Sequence, residues 1–305
     1  MPGEEFTDVG RGITICHESF GNPADPPVLL IMGLGTQMIA WRDDFCEQVA
    51  SRGFHAIRFD NRDVGLSTHV GGKPANLAQI ITRRIPDDAY SLEDMADDAV
   101  GLIDALGLGP VHAVGASMGG MIGQVLAARH AEKVSSLVSI MSNTGSRWTG
   151  QPALSAYRVF LAEAPEEREA FVEHVMRLFK VVGSRGDMFD EEYVRDVTAK
   201  SFDRNHDAAG VGRQLGAVLK TGDRGEILRA IKAPTLVVHG TEDRLVRPSG
   251  GRATAKAIPG ARLMMVDGMG HDLPRAAWPQ IIDAISGNAA RAAEGSPAQS
   301  NEVAA

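Results

Sequence analysis

The stretch that decides the fold of this chain is residues 111–123, which read VHAVGASMGGMIG. The continuous apolar run at 111–115 predicts a buried strand, and the apolar spacing from Met118 onward predicts a helix. Ser117 lies at the junction, between Gly115 and Gly119. A serine on so sharp a turn occupies strained backbone, and glycines two residues to either side remove Cβ atoms that would clash. The pattern indicates a nucleophilic serine; the alternative is a glycine-rich turn that only packs the helix on the strand.

A serine hydroxyl is a weak nucleophile and needs a base within reach. Among the nine histidines of the chain, His112 and His239 fall inside predicted strands, where a structural role is favoured. His271 instead follows the last predicted strand, on the glycine-rich run 267–271. Such a loop lies at the carboxyl edge of the sheet, where α/β proteins bind ligands. We therefore predict that His271 is the general base; the alternative is an ordinary histidine on a surface loop.

The base in turn needs an acid that orients it. Asp243 follows the predicted strand at 234–239, so the chain order is serine, acid, histidine, one of the orders known for such triads. Glu242 is the nearest rival, because glutamate also serves in this role. Asp267 and Asp272 are too close to the histidine in sequence to be favoured. The sequence therefore predicts Asp243 as the orienting acid, with a purely structural loop carboxylate as the alternative.

An oxyanion hole needs two N–H donors. One is the backbone N–H of Met118, the residue after the serine, and we expect the other from Leu34 in the loop that follows the predicted strand at 27–32. That loop also contains Gly33 and Gly35, but the third glycine position of a dinucleotide motif is occupied by Met38. Neither a P-loop, an HExxH motif nor a cysteine–histidine cluster is present. We therefore expect neither a cofactor nor a metal.

Short apolar runs alternate with segments of helical spacing through most of the chain. The runs predict strands at 27–32, 54–59, 111–115, 134–141, 234–239 and 261–266, and the helical segments are 41–52, 91–106, 118–130, 249–257 and 278–285. This alternation is typical of an α/β protein with a doubly wound, mostly parallel sheet. Residues 12–20 alternate in polarity and predict an antiparallel edge strand or a hairpin.

The alternation stops between residues 145 and 232, where only helical patterns occur, at 153–162, 166–182, 191–202 and 208–219. The sequence therefore predicts a core made of 1–144 and 233–286, interrupted by a helical lid at 145–232. Residues 287–305 are rich in alanine and poor in larger apolar residues, which predicts a flexible tail.

The composition excludes several classes of protein. The chain has 305 residues, of which 44% are hydrophobic, and a formal net charge of −8. This is a normal globular balance without the basic patch of a nucleic-acid binder. The apolar runs are too short for a membrane anchor and the first residues do not read as a signal peptide, so we expect the cytoplasm. Cys16 and Cys46 could form one disulfide at most and are expected as buried free thiols.

The chain resembles the α/β-hydrolase superfamily between about residues 12 and 285. Besides the serine turn, residues 59–67 (FDNRDVGLS) look like the D-x-R-G-x-G-x-S loop of that family, with Asp63 where glycine is usual. Asp60 in this loop is expected to cap a strand end, and Arg62 and Asp63 to pair locally. Met32 stands where the oxyanion loop of the superfamily commonly has a histidine. Residues 21–26, 32–33, 59–63 and 268–271 are similar to those of the aclacinomycin methylesterase-like esterases. The resemblance implies that the insertion is a lid over the pocket.

Together these features predict a cofactor-free serine hydrolase that cleaves carboxylic esters of small or medium, largely apolar substrates. Ser117, Asp243 and His271 would form the triad, with Leu34 and Met118 as backbone donors. The same triad serves C–C bond and amide hydrolases, which are the first alternative. A ligand-binding protein that keeps the hydrolase fold without turnover is the second. The partner is a small-molecule ester, and the sequence leaves a homo-oligomer open.

Overall fold

A computed structural model describes residues 3–295 of the chain, apart from 161 and 163. Its strands are β1 (Glu5–Asp8), β2 (Thr14–Phe20), β3 (Pro27–Ile31), β4 (His55–Phe59), β5 (Val111–Ala116), β6 (Val134–Ile140), β7 (Thr235–Gly240) and β8 (Arg262–Val266). Its helices are α1 (Asp43–Ala50), α2 (Leu77–Thr82), α3 (Leu92–Ala105), α4 (Met118–Arg129), α5 (Leu154–Phe160), α6 (Arg168–Val182), α7 (Glu191–Arg204), α8 (Ala208–Thr221), α9 (Gly225–Leu228), α10 (Ser249–Ala257) and α11 (Trp278–Gly295).

The eight strands form one sheet in the order β1-β2-β4-β3-β5-β6-β7-β8. The β1/β2 and β2/β4 pairs are antiparallel and all other pairs are parallel. The predicted α/β class and mostly parallel sheet are confirmed, and each predicted buried strand lies within two residues of its expected bounds. The strand order reverses at β3, which pairs with β4 on one side and β5 on the other. A crevice forms at such a switch point, at the carboxyl ends of the strands.

Two hydrophobic layers cover the two faces of this sheet. On one face, α3 and α4 contribute fully buried side chains, among them Leu102 and Ile122. On the other face, α1 and α11 contribute Phe45 and Ile281, and the Phe45 ring packs edge-on against Trp278 with 5.3 Å between centroids. Fully burying one such aliphatic or aromatic side chain contributes about 1.5–3 kcal/mol. The helix spacing seen in the sequence is therefore the spacing of residues that face the sheet.

The amino-terminal strands form the hairpin that the alternating pattern allowed. The pairing Phe6↔Cys16 places β1 outside β2, so β1 is the edge strand. The sequence does not reveal β1, because three of its four residues are exposed and only Thr7 is half-buried. Cys16 and Cys46 are buried free thiols, as expected.

The helical insertion lies between β6 and β7 and comprises α5 to α9, with no strand in its described residues. Its own apolar cluster is small, with Val172, Met176 and Val194 between α6 and α7. The insertion therefore depends for its position on contacts with the loops of the core. Within the range that the structure covers, no helix is both long and apolar enough to cross a bilayer.

The predicted flexible tail is wrong for residues 287–295, which continue α11. Asn288 is buried, and its Nδ2 donates to the carbonyls of Leu137 and Pro234, at 3.0 Å each. Ala289 is buried beside it. Alanine is the best helix former, so a segment with few large apolar residues extends an anchored helix readily. Residues 296–305 of the predicted tail lie outside the described residues.

Candidate active site

The serine turn has the strained geometry that its sequence predicts. Ser117 has φ +55° and ψ −118°, an unusual combination for any residue with a side chain. Its backbone N–H donates to the carbonyl of Ile140 at 2.9 Å, which ties the turn to the end of β6. A Cβ on Gly115 would lie 2.1 Å from the Gly119 carbonyl oxygen, and one on Gly119 would lie 2.0 Å from that of Ile31. Both glycines are therefore required by close backbone approach.

The loop after β3 lies directly against this turn. A Cβ on Gly33 would sit 3.1 Å from Ser117 Cβ and 3.7 Å from Ser117 Oγ. The next residue, Leu34, accepts a hydrogen bond from Thr36 Oγ1 through its carbonyl, while no acceptor among the described residues bonds its N–H. Met118 N–H is among the first-turn donors that α4 itself cannot satisfy, and Ser117 does not cap them. The structure thus places Gly33, the neighbour of Leu34, against the serine, and Met118 begins the helix that follows the serine.

Asp243 follows β7 and is buried. Its Oδ1 accepts the backbone N–H groups of Leu245 and Val246, at 2.9 and 2.8 Å. These two bonds fix the orientation of the carboxylate and leave Oδ2 directed at the histidine. A carboxylate that is already fixed by its own loop can orient a partner without losing further side-chain freedom.

His271 bridges the acid and the serine. Its Nδ1 lies 2.7 Å from Asp243 Oδ2 and its Nε2 lies 3.0 Å from Ser117 Oγ. Because the carboxylate can only accept, the neutral ring carries its proton on Nδ1 and presents Nε2 as an acceptor to the hydroxyl. This is the geometry in which a histidine can take a proton from a serine. The three side chains predicted from separate strand ends are thus brought together at one point.

A family comparison agrees with this geometry. The family model described as the alpha/beta hydrolase fold matches residues 26–274. The chain belongs to the α/β hydrolase fold family. The chain is 26% identical over 294 residues to the rhodomycin D methylesterase DnrP of Streptomyces peucetius, covering 90% of this chain and 94% of that protein. This agrees with the methylesterase resemblance found in the sequence.

Two solved structures show the same fold. The enol-lactonase from Burkholderia xenovorans LB400 superposes with a TM-score of 0.70 at 23% identity, covering 95% of this chain and all of that one (100%). The 2-hydroxy-6-oxo-6-phenylhexa-2,4-dienoate hydrolase (BphD) from Rhodococcus sp. strain RHA1 superposes with a TM-score of 0.71 at 18% identity, covering 96% and 99% of the two chains. At these identities the likeness concerns the fold alone.

The rival acids of this α/β hydrolase point elsewhere. Glu242 is half-buried and lies 3.6 Å from Arg185, and the exposed Asp267 accepts from Thr241 Oγ1 at 3.1 Å. His239 lies under the site, with Nε2 donating to the Val246 carbonyl at 2.7 Å. Burial lowers the pKa of His239, so this ring stays neutral 3.5 Å from Asp243. His112 also has a structural role, since its Nδ1 lies 2.9 Å from Ser136 Oγ, which is hydrogen-bond distance.

Residues of the insertion hold the loop that follows β3 (the oxyanion loop), and no pattern in the sequence indicates these contacts. Gln214 on α8 is fully buried, and its Oε1 accepts the Gly35 N–H at 2.8 Å. At the end of α7, the backbone carbonyls of Ser201 and of Asn205, the residue after the helix, accept from Gln37 Nε2 at 2.7 and 2.9 Å. Isolated polar residues on an amphipathic helix look like its solvent face, so no pattern could have separated these from exposed neighbours.

Asp60 at the end of β4 has the capping role that was expected. Its Oδ1 accepts the Met38 N–H at 2.7 Å, and its Oδ2 accepts the Leu66 N–H at 3.0 Å. Arg204 of α7 also bonds Oδ2, at 2.6 Å. Burial raises the pKa of Asp60, and the charge of Arg204 acts against that rise. This carboxylate therefore joins the loops after β3 and β4 to the insertion.

The expected local pair between Arg62 and Asp63 is wrong. Arg62 binds Asp98 on α3 through two bonds of 2.6 Å, and Asp63 binds Arg213 on α8 at 2.7 and 2.9 Å. The side chains of these two neighbouring residues point to different sides of the turn, and each binds a residue on a different helix. Asp63, with His69 and Asp207, also has the spacing of a metal site. Arg213 bonds both carboxylates at 3.0 Å or less, so a guanidinium already lies between them and offsets one of their two negative charges.

Proposed function

We propose that this α/β hydrolase is a serine esterase that cleaves carboxylic esters through an acyl-enzyme. The observation that carries the proposal is the pair of distances at His271, 3.0 Å to Ser117 Oγ and 2.7 Å to Asp243 Oδ2. The similarity to a rhodomycin D methylesterase over most of both chains supports an ester as substrate.

In the proposed first step, His271 Nε2 takes the hydroxyl proton of Ser117 while Oγ attacks the ester carbonyl. Asp243 stabilises the imidazolium that forms and keeps the Nδ1 proton in place. The tetrahedral oxyanion accepts the N–H groups of Leu34 and Met118. Such donors are aimed in advance at the charge that develops, and removing one of them typically costs about 3–4 kcal/mol of barrier.

The oxyanion then collapses, the C–O bond to the alcohol breaks, and His271 returns its proton to the departing alkoxide. In the second half, His271 Nε2 takes a proton from water, whose oxygen attacks the acyl carbonyl. The second tetrahedral intermediate expels Ser117 Oγ, which recovers its proton, and the acid is released. Every proton and bond in the cycle is accounted for by the chain, substrate and water.

We propose a small or medium, largely apolar substrate, enclosed under the insertion at 145–232 as a lid. The supporting contact is that of Val211 on α8, whose Cγ2 would lie 2.9 Å from a Cβ on Gly35. Leu34 on the same loop is half-buried and packs on the core. An apolar wall beside the oxyanion donors favours an apolar acyl or alcohol group.

The decisive experiment is Ser117→Ala with a series of p-nitrophenyl esters from acetate to laurate. We expect ester turnover and fluorophosphonate labelling to be lost while the fold, followed by circular dichroism, is retained. Retained turnover in the variant would refute the assignment. The wild-type chain is tested in parallel on anilides and on a vinylogous diketone. If it turns over either class faster than every ester, the bond that the protein cleaves is an amide or a C–C bond and not an ester.

A further inference from the structure

The loop that carries His271 is held by the end of α6, which belongs to the insertion. The His271 N–H donates to the Val182 carbonyl at 2.7 Å, and the Arg185 N–H donates to the Gly268 carbonyl at 3.1 Å. A Cβ on Gly270 would lie 2.2 Å from the carbonyl carbon of Gly183, so the two segments touch backbone to backbone. The position of the base therefore depends on residues 182–185 of the insertion.

One side chain of that segment, Ser184, joins this contact to a second carboxylate. Its N–H and its Oγ–H both donate to Asp272 Oδ1, at 2.7 Å each, and its Oγ accepts the Gly270 N–H at 3.0 Å. The Ser184 hydroxyl is buried and acts both as a hydrogen-bond donor and as an acceptor. Asp272 is thus fixed in one orientation, next in sequence to His271.

Asp272 has no arginine or lysine within ion-pair distance among the residues that the structure covers. The pKa of Asp272 is raised above its usual value by burial and, less strongly, by the charge of Asp243, while the two bonds from Ser184 and the charge of His271 oppose that rise. The other charged groups on the neighbouring segments are Asp243, which contacts the ring, and the pair of the exposed Arg185 with the half-buried Glu242. His239 is buried and neutral. Apart from Asp243, Asp272 is therefore the carboxylate placed to act on the imidazolium.

We propose that Ser184 and Asp272 are positioning residues for His271: Ser184 fixes the Asp272 carboxylate, whose charge stabilises the imidazolium formed when Ser117 loses its proton. The proposal deepens the esterase function proposed above and rests on it. Two carboxylates then act on one ring, Asp243 through the Nδ1 hydrogen bond and Asp272 through its charge.

The first test compares Asp272→Asn with Asp267→Asn. Asparagine keeps an oxygen for Ser184 and removes the charge; Asp267 lies on the same loop but is exposed, so solvent screens its charge. We expect Asp272→Asn to move the acid limb of the kcat/KM profile to lower pH by about half a pH unit, since a nearby opposite charge favours the protonated ring. The Asp267→Asn profile should match the wild type. Equal acid limbs in all three proteins would overturn the role of Asp272.

The second test concerns Ser184. Ser184→Ala leaves the Gly270 N–H without its acceptor and should lower kcat several-fold with little change in KM, whereas Ser184→Thr keeps the hydroxyl and should restore kcat. A loss of thermal stability in Ser184→Ala with wild-type kcat would overturn the positioning role of Ser184.

A third measurement separates this inference from the proposed function. In a Ser117→Ala background, which has no turnover to measure, the ring of His271 is titrated by NMR, its signals assigned by their loss in His271→Gln. The midpoint should be lower when Asp272→Asn is added, and unchanged with Asp267→Asn. If the wild type neither cleaves esters nor reacts with fluorophosphonate, the proposed function fails, and this titration still decides whether Asp272 acts on His271.

Discussion

Gln214 offers a direct test of how the insertion supports catalysis. Its side chain is fully buried on α8, where Oε1 accepts the Gly35 N–H at 2.8 Å and Nε2 donates to the Arg62 carbonyl at 2.7 Å. This orientation of the amide follows from its partners, since an N–H needs an acceptor and a carbonyl needs a donor. Gln214 thus fixes the loop one peptide beyond Leu34, the proposed oxyanion donor.

Replacing Gln214 with leucine keeps most of the side-chain volume and removes both hydrogen bonds. The Gly35 N–H and the Arg62 carbonyl then lose their partner, and an unsatisfied buried group costs about 1–3 kcal/mol. We therefore expect the free energy of unfolding to fall by roughly 2–6 kcal/mol. The substitution displaces the Leu34 N–H but does not remove it. The activation barrier of ester cleavage should therefore rise by less than the loss of one oxyanion donor would cost. A rise of about 1.4–2.7 kcal/mol corresponds to a 10- to 100-fold lower kcat.

The matched control is Gln124→Leu. Gln124 is equally buried, on α4, and bonds Ser139 Oγ at 3.1 Å and Arg224 Nε at 3.4 Å, away from the oxyanion loop. Urea unfolding and steady-state turnover of p-nitrophenyl butyrate are measured for both variants at a temperature where both are folded. Both should lose stability, and only Gln214→Leu should lose kcat while KM stays near the wild-type value. Equal kcat values in the two variants would refute the reasoning.

Two further predictions concern stability. Gly119→Ala places a Cβ 2.0 Å from the Ile31 carbonyl oxygen, so β3 or α4 must move and Tm should fall by more than about 5 °C. In Gly287→Ala, on the exposed face of α11 with nothing within 4 Å, Tm should stay equal or rise; equal shifts in both variants would contradict the steric argument. Burial lowers the pKa of His112, so below about pH 6.5 the unfolded chain binds more protons than the folded one and the free energy of unfolding decreases as the pH is lowered. The urea midpoint should therefore drop between about pH 7.5 and 5.5, and less so in His112→Gln; an unchanged slope would show that His112 does not contribute.

The parts of the fold that the sequence predicts are those with a local physical signal. A buried parallel strand must be apolar on both faces, so β3 to β7 are visible as short apolar runs. The half-exposed β8 is predicted from the same kind of run, at 261–266, although Arg262 and Leu263 are exposed. In contrast, β1 is short and exposed, and residues 287–295 extend α11, where Asn288 bonds Leu137 in β6 and Pro234 directly before β7. Neither feature has a pattern of its own.

The same distinction between local and long-range interactions holds for the candidate active site. By itself the sequence determined the glycines around Ser117 and the strand ends that carry Asp243 and His271, because each depends on neighbours within a few residues. Only the tertiary structure decided that Asp243, not Glu242, faces the ring, at 2.7 Å from Nδ1. It also decided which polar residues of the insertion hold the catalytic loops. Gly35 and Gln214 are 179 positions apart, and Ser184 and Asp272 are 88 apart. A hydrogen bond across such a separation leaves no periodicity in the sequence, since it is set by how the helices pack on the sheet.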